Sequence, residues 1–388
     1  MDSKLWETCI VGAGIIGSAT AYNLVAHGNG DVLLIEQFPL PHTRGSSHGQ
    51  SRVIRHSYGQ QCYARMMPEC FKEWRKLEEK TGNKLLYQCG LLSIDALPLD
   101  NAKQVQRNLA SIGLTSSLLQ GNEFKNKYPM LTYPDGTGAV LENEAGVLMA
   151  NRCVQSYQDL FVSTGGSLLD NEKVHEIIPG DIIQIKTTKR VIKAKNLIIT
   201  AGPWTSELVK PTGLALPLQP YLISVCYWKT NDVRYRADQC FPAFADFGTG
   251  TAKKCQIYGL PCIEYPNMLK ICLHHGMTVS PDSRDRVTSQ DKNVLEIAKY
   301  IQEHFANVED RPCIIEPCMY TSTPDDDFII DRHPRHPNIV VGAGFSGHGF
   351  KLAPVIGKLL AEISKKKEPS YDISTFKIDR FHNIKHRL

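Results

Sequence analysis

The sequence predicts an α/β (α+β) fold in which a nucleotide-binding domain is assembled from distant parts of the chain and an antiparallel-sheet domain is inserted in pieces between them. Three observations predict it. Residues 8–36 read as strand, Gly-rich turn, helix and strand, and residues 338–364 return to strand, Gly-rich turn and helix. Between them, segments at 221–228, 255–260 and 268–274 read as strands with no helix intervening, which favours an antiparallel sheet. The chain has 388 residues. A single core stops growing near ~250–300 residues, so two lobes are expected.

The first strand, 8–11, and the next, 31–35, are short and rich in Val, Ile and Leu, which suits a buried parallel sheet around the helix 18–26. Gly12, Gly14 and Gly17 form G-x-G-x-x-G directly after the first strand, and Glu36 ends the second. This is the dinucleotide fingerprint of a Rossmann-like unit. The first glycine makes the turn, the second lets backbone N–H groups approach a pyrophosphate, and the third lets helix and strand pack. Glu36 would accept hydrogen bonds from ribose hydroxyls. The motif does not separate FAD from NAD.

Residues 37–60 lack periodicity and are rich in Gly, Ser, His and Arg, the composition of a long functional loop. A helix is expected over 66–80. Short strands (87–94, 139–142) then mix with helical pieces near 99–112 and 121–128. Strands at 173–177, 182–187 and 197–200 belong at the edge of the first domain, and 291–305 is an amphipathic helix. The expected nucleotide-binding domain is 1–85, 146–215 and 318–388; the substrate domain is 86–145 and 216–317.

A net charge of +4 with no basic block gives no footprint for a nucleic acid. No uncharged apolar run approaches the ~20 residues of a membrane span, and the opening residues leave no room for a cleavable signal peptide. The twelve cysteines include no C-x-x-C and no zinc spacing, which favours free thiols in a reducing compartment. His274-His275 and His333/His336 come without an acidic or Cys partner set, so no metal is expected. The final His386-Arg387-Leu388 resembles the Ser-Lys-Leu peroxisomal address but departs from it at the first position.

Several residues could carry chemistry. Gly342-Ala343-Gly344-Phe345-Ser346-Gly347 repeats the glycine pattern without the second half of the unit, and could aim a helix N-terminus at another part of one ligand. Lys351, in the first turn of the expected helix, opposes the helix dipole unless an anion lies nearby. Arg52 and Arg55 could grip a carboxylate or phosphate, with His48, Ser51 and His56 beside them. Lys270 and His274, four apart on a strand, face one side, but spacing does not decide whether Lys270 is exposed or a buried functional cation. Cys318 in an apolar stretch is ordinarily a small core residue.

Taken together, these segments resemble the monomeric, covalently flavinylated sarcosine oxidases, nearly end to end. The resemblance rests on the first glycine motif with Glu36, then His42-Thr43-Arg44-Gly45-Ser46-Ser47-His48-Gly49-Gln50-Ser51-Arg52-Val53-Ile54-Arg55-His56. It continues through Ala201-Gly202-Pro203-Trp204, Tyr258-Gly259-Leu260-Pro261, Cys318-Met319-Tyr320-Thr321 and Gly344-Phe345-Ser346-Gly347-His348-Gly349-Phe350-Lys351. The animal peroxisomal branch is the most similar. The resemblance implies an FAD-binding domain with an inserted substrate domain, and FAD attached through its 8α carbon to the sulfur of Cys318. It places Arg52 against the flavin ring, Arg55 and Lys351 on the substrate carboxylate, and Lys270 near flavin N5 where oxygen is activated. Tyr258, His274, Tyr320 and His48 join the site, and Arg44, Ser51, Val174, Gly202, Gly344, Gly347 and His348 join the flavin contacts. The sequence departs at Ser51, where bacterial members carry threonine, and at Ser47, where they carry a second histidine.

The implied reaction is oxidation of a small secondary amino acid (sarcosine, L-pipecolate or L-proline). Hydride passes to flavin N5, an imine leaves, and O2 returns the flavin to its oxidised state with hydrogen peroxide as product. An alternative keeps the substrates and replaces O2 by another acceptor. A peroxide-forming enzyme suits a peroxisome, entered through the import receptor that reads the C-terminal tripeptide, and the family implies a monomer.

Overall fold

The computed structural model describes residues 4–28, 30–247, 256–286, 288 and 290–381. The C-terminal tripeptide lies outside the described residues, as does Cys255, where one of the expected strands begins.

Leu5–Val11 runs through the middle of an eight-stranded sheet, parallel to Val32–Ile35 on one side and Val191–Ile199 on the other. Ser167–Leu169 and Ile339–Ala343 extend the parallel part outward, and Ile329–Arg332 closes one edge antiparallel. The N-terminal half of Val191–Ile199 pairs with a hairpin, Val174–Ile178 and Ile183–Thr187. Side chains alternate between two cores. Ile10, Leu34 and Ile198 face the helices Ile15–Ala26 and Ala353–Ser364, whereas Cys9, Leu33 and Leu197 face the opposite side. Both faces are covered, so the strands read as continuous apolar runs.

The second sheet has nine strands. Val308–Ser322 lies along Gln219–Thr230, followed in order by Met268–Leu273, Ile257–Leu260, Ala243–Asp246, Leu91–Asp95, Gly138–Glu142 and Ser117–Gln120. It is antiparallel as expected except where Ala243–Asp246 runs parallel to Leu91–Asp95. Those two strands come from separate excursions of the chain, and no tight turn forces them into opposite directions. Val308–Ser322 stays in this sheet past the expected boundary at 318.

Two expectations need correction. The segment 87–94 is not one strand. It breaks at Gly90, whose φ is +80°, and the halves Leu86–Gln88 and Leu91–Asp95 join different sheets. The loop 37–60 contains a strand, Ser51–Ile54, which pairs with Gly146–Met149 beside Leu86–Gln88 in a small third sheet. Four residues with an arginine second carry no readable alternation; a distant partner makes them a strand. The next helix runs Gln61–Thr81, longer than expected. At the C-terminal end, Lys351 sits in a 3-10 turn, Phe350–Leu352, ahead of the helix Ala353–Ser364. Pro354 has no N–H to give to a preceding α-turn, so the entry is tighter.

Among the described residues the cysteines are free, and no helix is long and apolar enough to cross a membrane.

Candidate active site

A groove follows the C-terminal ends of the parallel strands. Gly12 has φ of +102°, and a Cβ there would stand 2.5 Å from the Thr200 carbonyl oxygen. At Gly17 a Cβ would stand 1.9 Å from the Gly12 carbonyl oxygen, so the helix Ile15–Ala26 can seat only on glycine. Glu36 Oε2 accepts from the Ala13 N–H at 2.9 Å and Oε1 from the Phe38 N–H at 3.2 Å, which hold the carboxylate at the groove. Gly14, Val174, Gly202, Gly344 and Gly347 line the same groove. Among the described residues, the buried hydroxyls of Ser46 and Thr321 in its wall have no hydrogen-bond partner, and the Ile15 N–H at the helix start is met by the Ser47 hydroxyl at 3.0 Å. Orphaned hydroxyls beside a helix N-terminus fit a long polar ligand such as FAD. Arg44 does not line the groove; it pairs with Asp285.

A second cavity of about 750 Å³ adjoins the groove. Arg52, Tyr320, Ser346, Gly347 and Phe350 form the wall between them. Arg52 is held by the carbonyls of Ser51 at 2.7 Å, Ser46 at 2.9 Å and His48 at 2.6 Å, with its guanidinium 5.5 Å from the Phe350 ring centre. The Cys318 sulfur lies 3.7 Å from Arg52 Nη2, and the strand places Cys318 opposite Ile223. His48 stands behind this cysteine, between the carbonyls of Gly45 and Pro317, and lines neither space. Burial, then Arg284 and Arg52, push its imidazole down to about 4.

The second cavity is electropositive. Lys351 Nζ donates to the His348 carbonyl at 3.0 Å and the Tyr58 hydroxyl at 3.2 Å. Arg55 donates to the Ser57 carbonyl at 2.6 Å and stands 4.9 Å from the Tyr58 ring centre. Among the described residues neither cation forms an ion pair. Burial and then Arg55 hold Lys351 well below its ordinary range. His274 is pushed to about 4 by burial, then by Lys351 and Arg55. Burial and Lys351 likewise drive His348 well down. Tyr258, His274 and Tyr320 line the cavity together, with the Tyr320 and Tyr258 hydroxyls 3.4 Å apart. A buried lysine and a half-buried arginine among neutral imidazoles and phenols can hold a small carboxylate.

Lys270 does not reach into the cavity beside His274. It is 3% exposed and donates to Ser51 Oγ at 3.1 Å, so Ser51 separates it from the cavity. Three further residues carry the site without any signal in the sequence. Tyr58 joins Lys351 to His348, with 3.2 Å between its hydroxyl and His348 Nδ1. Glu142 anchors the backbone after Arg55, and Glu264 pairs with Lys270.

Residues 7–363 match the FAD dependent oxidoreductase family. The chain belongs to this family. It is 44% identical over 386 residues to the peroxisomal sarcosine oxidase of Homo sapiens, covering 99% of this chain and 98% of that one. It is 32% identical to the monomeric sarcosine oxidase of Arthrobacter sp. (strain TE1826), covering 97% of each. The resemblance read from separate motifs therefore holds along the whole chain. Among solved structures, the L-proline dehydrogenase of P. horikoshii has a TM-score of 0.82 at 22% identity and covers 98% of each chain, which shows a shared fold. The protein is thus an FAD-dependent oxidoreductase acting on CH–NH donors.

Proposed function

We propose that this oxidoreductase oxidises small secondary amino acids such as sarcosine, L-pipecolate or L-proline, with O2 as acceptor and hydrogen peroxide as product. The observation that carries this reading is that the half-buried Arg55 and the buried Lys351 line, with Tyr258, His274 and Tyr320, a cavity that shares a wall with the dinucleotide groove. The names of the sarcosine oxidase relatives support the substrate class.

The bound flavin supplies the hydride acceptor and the centre that passes electrons to O2. Arg55 and Lys351 hold the substrate carboxylate and so fix the position of the reacting C–H bond. His274, neutral because of its burial beside two cations, adds no further positive charge beside the substrate amine. Arg52 spans the common wall and would help to hold the flavin there. Lys270, behind Ser51, is placed to stabilise negative charge developing on O2. Cys318, beside Arg52, is the residue proposed to carry the flavin through its sulfur. The names of the relatives support a peroxisomal location, by way of the import receptor, and a monomer.

The test is to mix the holoenzyme anaerobically with each amino acid, follow flavin absorbance, then admit O2 and assay peroxide. Bleaching followed by recovery with peroxide is expected. Bleaching with slow recovery and no peroxide would replace O2 by another acceptor. No bleaching by any of the three would overturn the substrate class. Acid precipitation tests the attachment: the colour should stay with wild-type protein and enter the supernatant for Cys318→Ala.

A further inference from the structure

The reading above uses Lys270 but not the carboxylate behind it. Glu264 lies in the connection between Ile257–Leu260 and Met268–Leu273, yet its side chain is only 2% exposed. A carboxylate so buried is costly unless charged and polar partners meet it. Two do. Tyr227 donates its hydroxyl to one oxygen, and Lys270 Nζ stands 3.4 Å from the other. Tyr227 lies directly opposite Lys270 in the sheet, so one patch of strand presents both donors. The Lys270 ammonium then donates onward to Ser51 Oγ at 3.1 Å, and Ser51 lines the cavity. A continuous polar line, Tyr227–Glu264–Lys270–Ser51, thus runs from the interior of the sheet to the reaction site.

Among the described residues, Lys351, which does line the cavity, lacks such a partner. Lys351 is as deeply buried, has Arg55 nearby and no carboxylate partner among the described residues, and is held well below its ordinary range. Lys270 is buried as well, but it has a counter-charge.

Other titratable and charged groups face the pair. Glu316, on the long strand, accepts from Tyr265 at 3.0 Å and lies 3.4 Å from the Tyr227 hydroxyl. Arg52 and Cys318 stand across Ser51, and Cys272 and Tyr258 lie on the two adjoining strands. Burial and the Glu264 charge drive the Tyr227 phenol far up, so it remains a donor. Among the described residues, Glu264 is the one acid in ion-pair reach of Lys270 Nζ.

We infer that Glu264 is a positioning residue whose carboxylate pairs with the Lys270 ammonium and aims it at Ser51 and the cavity wall. This rests on the reading of Lys270 as the cation that promotes the reaction with O2.

The test uses the holoenzyme and Glu264→Gln, which keeps the shape and removes the charge. Reduced enzyme is mixed with O2 from neutral to alkaline pH. For E264Q the alkaline loss of reoxidation rate should begin at least about one pH unit lower than in wild type, a roughly tenfold slower reaction between the two limbs. A second readout needs no turnover: nitrogen NMR of lysine-labelled oxidised enzyme, with Lys270→Met identifying the signal, should show the Lys270 ammonium lost at lower pH in E264Q. Tyr227→Phe should shift both readouts the same way by less, and carries the test if E264Q does not fold. Unshifted NMR titration in the variants overturns the inference, even where reoxidation is slow. If Lys270→Met reoxidises as fast as wild type, the role of Lys270 itself fails, and Glu264 with it.

Discussion

Lys351 Nζ and His348 Nδ1 meet at one atom, the hydroxyl of Tyr58, each at 3.2 Å. A phenol is thereby the nearest side-chain partner of a buried ammonium, and it cannot neutralise the charge. The site keeps its attraction for an anion because neither Tyr58 nor His348 brings a negative charge to Lys351.

Replacing Lys351 by methionine should remove one of two charge-assisted contacts to the substrate carboxylate, worth roughly 1.5–3 kcal/mol. The expected result is a KM for sarcosine raised by about 10- to 100-fold, with a smaller change in kcat. Binding a carboxylate raises the depressed Lys351 pKa, so binding takes up a proton and weakens as pH rises through that range. The affinity for acetate, measured against pH by flavin absorbance, should show this slope in wild type and lose it in K351M.

Glu142 should matter for both stability and binding. Its carboxylate, 2% exposed, accepts from the backbone N–H groups of His56 at 2.7 Å and Ser57 at 3.0 Å, and from His56 Nδ1 at 2.8 Å. The Ser57 carbonyl in turn holds Arg55. Glu142→Gln sets an amide N–H where an acceptor is needed and should cost about 1–3 kcal/mol. A lower Tm together with a raised KM is expected; a lower Tm with unchanged KM would separate Glu142 from Arg55.

Gly347 has φ of +76°, and a Cβ there would lie 2.5 Å from Tyr320 Cε2 and 2.7 Å from His274 Cε1. Gly347→Ala should displace both rings. A misplacement of this kind costs on the order of 100-fold in rate, so kcat/KM should fall by about that factor. Steady-state kinetics and the position of Tyr320 in a crystal structure would check it.

His333 offers a pH test away from the site. It is 1% exposed, its Nδ1 accepts the Arg335 N–H at 3.1 Å, and burial with His336 and Arg335 pushes it to about 4. The unfolded chain binds its proton near 6.5, so this histidine's share of stability is intact above that pH and is lost as pH falls toward 4. In that window His333→Asn should reduce the acid slope of the unfolding free energy by up to ~1.4 kcal/mol per pH unit. Denaturant melts at several pH values would show it; parallel slopes would sink the assignment.

The parts of the site that local chemistry dictates were readable. A turn that excludes Cβ atoms at Gly12 and Gly17 must be written with glycine, and Glu36 has to end the next strand. Other parts depend on partners far away in the chain. Tyr58 and Lys351 are 293 positions apart, and nothing near Tyr58 marks it. Ser51–Ile54 becomes a strand only because Gly146–Met149 comes to lie beside it. Cys318 is 5% exposed, as a core cysteine would be, and only its resemblance to a family motif distinguishes it. Lys270 is ambiguous in the sequence because burial and a counter-charge, not spacing, set its surroundings.

One short segment touches both spaces. Gly45, Ser46 and Ser47 line the groove, Ser51 and Arg55 line the cavity, and Arg52 lines both. The register of Arg52 against Leu148 pins the segment in place. Since strand side chains alternate, one residue added or removed before Ser51 would exchange the faces of Arg52 and Val53. Surface connections usually drift in length among relatives. This one works as a fixed gauge, and its length sets how far the cavity stands from the groove.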